Sequence, residues 1–127
     1  MNNKIQVPEH NLHELGIGYV YGQLSDAGHT IYEVNTDPEV AFQILAKKDD
    51  ELVSFAIRTD HYPDMGSINR AECEQLIKES EQLDSVPCFV GLSAKSLNAS
   101  DSMVGEYAGE EYQMSSNGMT IVEEFLS

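Results

Sequence analysis

The sequence predicts a single α/β domain. Three observations carry that expectation. Helix-period and strand-period runs alternate in the order helix, three strands, helix, strand; turn residues separate them at short intervals; and 127 residues, 41% of them hydrophobic, suit one core. The domain is expected to span residues 1–127, with a core over about 8–95 and an acidic appendage over 96–127.

Residues 1–7 read as a loose arm. Beyond Pro8, the apolar residues Leu12, Leu15, Tyr19, Val20, Leu24 and Ala27 recur at intervals of three and four, which predicts a helix over residues 9–27. Pro8 suits a first helical turn, and Gly28 suits the position just past a helix end. Gly16, Gly18 and Gly22 oppose the helix, each by about 1 kcal/mol relative to Ala. A strand over residues 17–23 is therefore the competing reading. Close packing of the helix on a sheet would account for the glycines.

Three strands are expected next. Residues 29–35 are rich in β-branched and aromatic side chains, and residues 40–48 alternate through Phe42, Ile44 and Ala46. Residues 52–60 set Val53, Phe55, Ile57 and Thr59 on one face, with Ser54, Ala56, Arg58 and Asp60 on the other. Asp49, Asp50 and Glu51 form a polar hairpin turn between the second and third strands. Residues 61–66 contain Pro63 and Gly66 and read as a loop.

The next element is the best specified. Asn69 can cap a helix, Glu72 completes a capping box, and Ile68 and Cys73 stand where a hydrophobic staple would place them. Cys73, Leu76, Ile77, Ser80 and Leu83 form one stripe, predicting a helix over residues 69–83. Residues 86–93, VPCFVGLS, are apolar enough for the middle of a sheet. Residues 111–115 and 119–123, around Ser116-Asn117-Gly118, read as a hairpin. Short links make the first three strands antiparallel, and the crossover helix returns the fourth parallel to a neighbour.

Charge narrows the function. Seven Lys plus Arg stand against 22 Asp plus Glu, a net charge of −15. A sequence-independent hold on a phosphate backbone needs clustered cations, so direct nucleic-acid binding is not expected. No run approaches the roughly 18 apolar residues of a spanning helix, and MNNKIQVPEHN carries no apolar signal core. Two cysteines, Cys73 and Cys88, are too few for a disulfide framework. The expectation is a cytoplasmic domain with no membrane association.

The αβββαβ order comes with three local phrases: GIGYVYGQLSDAG before the first strand, TDPEVAFQILAKKDDELVSFAIRTD across the second and third, and VPCFVGLS after the crossover helix. Together they resemble the core of the restriction-endonuclease-like superfamily, the nucleases with a PD-(D/E)xK motif. The resemblance covers residues 12–95. It implies a three-layer arrangement around a mixed sheet. It also implies a site where two carboxylates hold Mg²⁺ against a phosphate while a Lys assists. Under it, Pro38-Glu39 stands at the PD position and Ala56-Ile57-Arg58 at the (D/E)xK triplet. Ala56 offers no ligand, and Arg58 keeps its proton at any useful pH. The carboxylate that many such enzymes carry on the first helix would fall near Ile17 or Gly18, and is absent. With the motif degenerate, what the resemblance implies is the fold without the catalysis. The leading expectation is a non-enzymatic domain that binds a protein partner, with no cofactor and no metal. The alternative is a divergent metal-dependent nuclease using Glu39, Arg58, Asp60 and His61 in rearranged roles.

Other candidates weigh less. His10 and His13, beside Glu9 and Glu14, could offer N and O ligands from one helix face, although solvated histidines at a helix start are commoner. Cys73 and Cys88 lack further ligands at zinc spacing and read as buried free thiols. Arg58, Asp60, His61 and Asp64 cluster after the third strand, as an acid–base site or as an ordinary loop in which Arg58 pairs with a carboxylate. Ser93, Ser96 and Ser100 have no nucleophile context, and Gly16-Ile17-Gly18 lacks the third glycine of a phosphate loop. Beyond Lys95 no basic residue follows, whereas Glu106, Glu110 and Glu111 are acidic. That stretch reads as a solvated face or as a docking surface for a basic partner. Small acidic bacterial-like domains include immunity proteins, which occupy the basic clefts of nuclease toxins; charge and size alone suggest that kinship here.

Overall fold

A computed structural model describes residues 9–96 and 112–122. These residues form α1 (Glu9–Asp26), β1 (Thr30–Val34), β2 (Ile44–Lys48), β3 (Glu51–His61), α2 (Arg70–Leu83), β4 (Val86–Ser96) and β5 (Tyr112–Ile121). The strands form one sheet in the order β1-β2-β3-β4-β5. β1 with β2 and β2 with β3 pair antiparallel, and α2 crosses over so that β4 lies parallel to β3. This is the mixed α/β arrangement expected of the αβββαβ order.

The first element is a helix despite its glycines. Leu12, Ile17, Val20 and Leu24 are all buried, and each such side chain contributes about 1.5–3 kcal/mol against about 1 kcal/mol lost per glycine. Gly16 is required by packing, since a Cβ there would collide with the Thr59 side chain of β3. Gly18 and Gly22 face open space.

Each face of the sheet carries its own core. On the α1 side Ile17, Val20 and Leu24 pack with Ile44, Ala46, Phe55, Ile57, Cys88, Val90 and Leu92. On the α2 side Ala41, Ala56, Cys73, Leu76 and Val122 form a second cluster. The two free cysteines are buried in different clusters, on opposite sides of the sheet. Burial pushes the Cys88 thiol up to about 11, so it stays protonated near neutral pH. The capping box forms as expected, with the Asn69 side chain accepting from Glu72 N–H and the Glu72 carboxylate accepting from Asn69 N–H.

Two expectations need correction. The second strand starts at Ile44 rather than at Val40. Asp37 winds the intervening chain into a turn: its Oδ1 accepts Glu39 N–H at 2.9 Å and its carbonyl accepts Val40 N–H at 3.4 Å. The Ser116-Asn117-Gly118 signal does not make a hairpin. β5 runs through it as one strand, antiparallel to β4, with an irregularity between Val90 and Leu92 in the register. Gly118 supplies a φ of +94°, and its N–H donates to Ser116 Oγ at 2.9 Å, so the turn chemistry is absorbed as a local distortion. The C-terminal strand is thereby part of the main sheet rather than an appendage beside it. Glu111 and Glu123 lie outside the described residues.

The β2–β3 hairpin turns on Asp49 and Asp50, between the paired residues Lys48 and Glu51. Their φ values of 53° and 69° are both left-handed, as a two-residue primed turn demands. Asp tolerates that region better than most residues, and Gly better still. Asp50→Gly is expected to raise stability by about 0.5–1 kcal/mol, measured as a higher urea midpoint. An unchanged midpoint would show that Asp50 carries no strain.

Candidate functional site

In open α/β sheets ligands gather at the carboxyl ends of the parallel strands. Here that edge holds the end of β3, the loop after it, the 35–43 segment and the starts of both helices. Even-numbered residues of β3 face α2. Ala56 is accordingly buried, 1% exposed, among Ala41, Cys73, Leu76 and Val122. Its neighbours are apolar, so the place where the resemblance puts a metal carboxylate is part of a hydrophobic core.

Arg58 lies two residues on, opposite Gly91 of β4, and its side chain turns inward. One guanidinium nitrogen, Nη1, donates to Gln43 Oε1 at 2.9 Å and to the Ile57 carbonyl at 3.1 Å. The other, Nη2, stands 3.8 Å from the Glu72 carboxylate in the first turn of α2. Burial draws the Arg58 pKa below its ordinary value, while Glu72 opposes that shift. The group remains a cation, and its donors are directed to the protein interior.

The residue that organises this edge is Gln43. It is completely buried, and its Oε1 accepts from both Arg58 and Ile57 N–H, the latter at 2.8 Å. Its Nε2 donates to the Val40 carbonyl at 3.1 Å, and its backbone N–H donates to Phe55 O at 2.8 Å. A side-chain amide thus extends the sheet ladder ahead of the start of β2. Sequence reading missed it, because within an apolar alternation one Gln reads as an outward-facing residue. The usable signal was its place immediately before the buried run Ile44-Leu45-Ala46.

Glu39, the residue at the PD position, is exposed in the turn held by Asp37. Asp60, His61 and Asp64 are exposed as well. Asp60 Oδ1 accepts the His61 N–H at 2.8 Å, and the Asp64 N–H donates to the His61 carbonyl at 2.8 Å, which are contacts of an ordinary loop. The four residues Glu39, Arg58, Asp60 and His61 are therefore not gathered around one point: Arg58 points into the interior and the others into solvent. His13 is buried, 7% exposed, rather than solvated. Among the described residues no group of three or more His, Cys, Asp or Glu is placed to hold a metal ion, and no helix is long and apolar enough to cross a membrane. Glu106, Glu110 and Glu111 lie outside the described residues.

The loop back from β3 to α2 closes the edge from above. Gly66 N–H donates to the Leu92 carbonyl at 2.9 Å. A Cβ on Gly66 would collide with the Arg58 carbonyl, and a Cβ on Gly91 would stand 2.6 Å from the Gly66 carbonyl. Backbone lies directly on backbone here, and only glycine permits it. Nearby, Lys95 Nζ sits 4.9 Å from the centroid of the Tyr62 ring.

A family model, described as Domain of unknown function (DUF8840), matches residues 10–122. No curated protein matches. Among solved structures the chain is similar to Hjc, a Holliday junction resolvase from the archaeal hyperthermophile Archaeoglobus fulgidus. The TM-score is 0.47 and the identity 14%, over 65% of this chain and 66% of that one.

Proposed function

For a chain that belongs to the DUF8840 family, a family whose description names no activity, we propose a non-catalytic α/β domain of nuclease-like fold that binds a protein partner. One observation carries the reading: the cation at the lysine position of the nuclease motif is committed inside the protein, to Gln43 and the Ile57 carbonyl. Ala56 beside it belongs to an apolar core. An edge built in this way offers no metal ligand at position 56 and keeps the Arg58 cation turned away from a phosphate.

The partner proposed is basic. A net charge of −15 repels nucleic acid and attracts a cationic protein surface. Glu106, Glu110 and Glu111 are the residues proposed to meet it, in a stretch with no compensating Lys or Arg.

The test has two arms. Purified protein with Mg²⁺ or Mn²⁺ is expected to cut DNA and RNA no faster than its Glu39→Ala variant; faster cutting favours the divergent nuclease. For a partner recovered by pull-down, association is expected to slow steeply with salt as the Debye length falls from about 10 Å at 0.1 M to about 3 Å at 1 M. Changing Glu106, Glu110 and Glu111 together to Gln should lower the on-rate more than it raises the off-rate. Recovery of only neutral or acidic partners, bound equally at high salt, would refute the basic partner.

A further inference from the structure

The helix α1 is held unevenly. Its later turns bury Ile17, Val20 and Leu24 in the larger apolar cluster. An earlier turn buries His13, whose Nε2 has no hydrogen-bond partner. One turn on, Gly16 lies against Thr59, whose Oγ1 is also buried without a partner. The start of the helix therefore has one buried apolar side chain, Leu12, beside the polar groups of His13 and Thr59 that their neighbours leave unsatisfied.

Charged groups reach His13 from each side: Glu14 from α1 itself, Asp37 from the 35–43 segment and Arg58 from β3. Glu72 of α2 stands against the Arg58 guanidinium. Burial depresses the His13 pKa below 6.5 and Arg58 depresses it further, while Glu14 and Asp37 pull it upward.

We propose that His13 is a proton-operated latch: its protonation frees the first turns of α1 and opens the edge of the sheet where Gln43 is buried and Arg58 partly buried. The neutral ring packs there without charge. A proton on it places an imidazolium near a partly buried cation, and Arg58 has little freedom to withdraw because Nη1 is tied to Gln43 and to the Ile57 carbonyl. The helix start, with fewer apolar anchors, is the part that yields. The device stands independently of any partner or catalytic activity.

The sign follows from linkage. The closed state holds the ring below its free pKa, so the open state binds the proton more readily. Closure is complete above the free pKa and is lost as pH falls through the closed-state value.

The experiment is amide hydrogen exchange on the full chain at pH 7 and pH 5, corrected for intrinsic exchange, with NMR titration of the His13 ring. Protection of residues 12–16 is expected to fall about tenfold for each pKa unit by which the ring is depressed, once the closed form has titrated. Residues 17–24 should hold their protection. His13→Gln should keep the helix start protected at pH 5. Should that variant fail to fold, Asp37→Asn serves instead: it keeps the oxygen that accepts Glu39 N–H but removes the charge that draws the proton, so the midpoint of opening should move to lower pH. Equal loss of protection in wild type and His13→Gln overturns the proposal. So does unchanged protection across the titration of the ring, or an unmoved midpoint in Asp37→Asn.

Discussion

Gly66→Ala is expected to destabilise the protein by about 3 kcal/mol or more, near the upper end of what overpacking costs. The new methyl group would meet the Arg58 carbonyl and stand 2.6 Å from Thr59 N, both of them backbone of the central strand. No rotamer change relieves such a clash. Either the loop lifts and breaks the Gly66 N–H bond to Leu92 O, or β3 shifts against two cores at once. Gly18→Ala provides the opposite case. It adds the same methyl group where nothing lies within 4 Å, and should stabilise α1 by about 0.5–1 kcal/mol. Urea unfolding of the two variants beside wild type tests both signs. A Gly66→Ala midpoint equal to wild type would show that the loop does not lie on the strand.

Gln43→Leu is the second large effect. Leucine nearly matches the volume but leaves the Ile57 N–H without its acceptor and takes one of the acceptors of Arg58 away in a dry setting. Removing a partner from a buried charge costs about 3–5 kcal/mol, to which the orphaned N–H adds about 1–3 kcal/mol. Because Arg58 keeps the Ile57 carbonyl and a distant Glu72, the lower end of the two costs together, about 4 kcal/mol, is the expected loss. Gln43→Glu retains the acceptor oxygen and gains a charge pair while losing the donor to the Val40 carbonyl. It should therefore lose less than half as much. Denaturant midpoints rank the three proteins, and equal losses in both variants would show that the acceptor oxygen is not what holds this edge.

The elements legible in the sequence were those whose periodicity agrees with their capping or turn chemistry. The α2 stripe and its capping box coincide, so its bounds shift by one residue at the start, from 69 to Arg70. The alternation of β3 correctly assigns Phe55 and Ile57 to one core and Ala56 to the other. Legibility failed where a local signal competes with a tertiary one. Phe42 continues the alternation of β2, yet the Asp37 turn withdraws residues 40–43 from the strand. Gly118 announces a turn, yet pairing with β4 draws it into a strand. At the candidate site, the absence of a carboxylate at Ala56 could be read directly. The inward turn of Arg58 and the role of Gln43 could not, because both depend on contacts between residues 15 positions apart.

The sheet is built in the order of the chain, so its two outermost strands are its first and its last. This has a consequence for aggregation. β4 is the most continuously apolar strand, and β5, reached only after residues 97–111, is what covers its second side. Until β5 docks, β4 presents a flat row of unpaired amides and carbonyls flanked by Val86, Phe89, Val90 and Leu92, the kind of strand border that recruits another chain. β1, at the opposite border, is short, interrupted by an irregularity between Ile31 and Glu33, and carries a carboxylate. Those features blunt it. The protein thus blunts its first border by local chemistry and covers the apolar β4 with its own last strand.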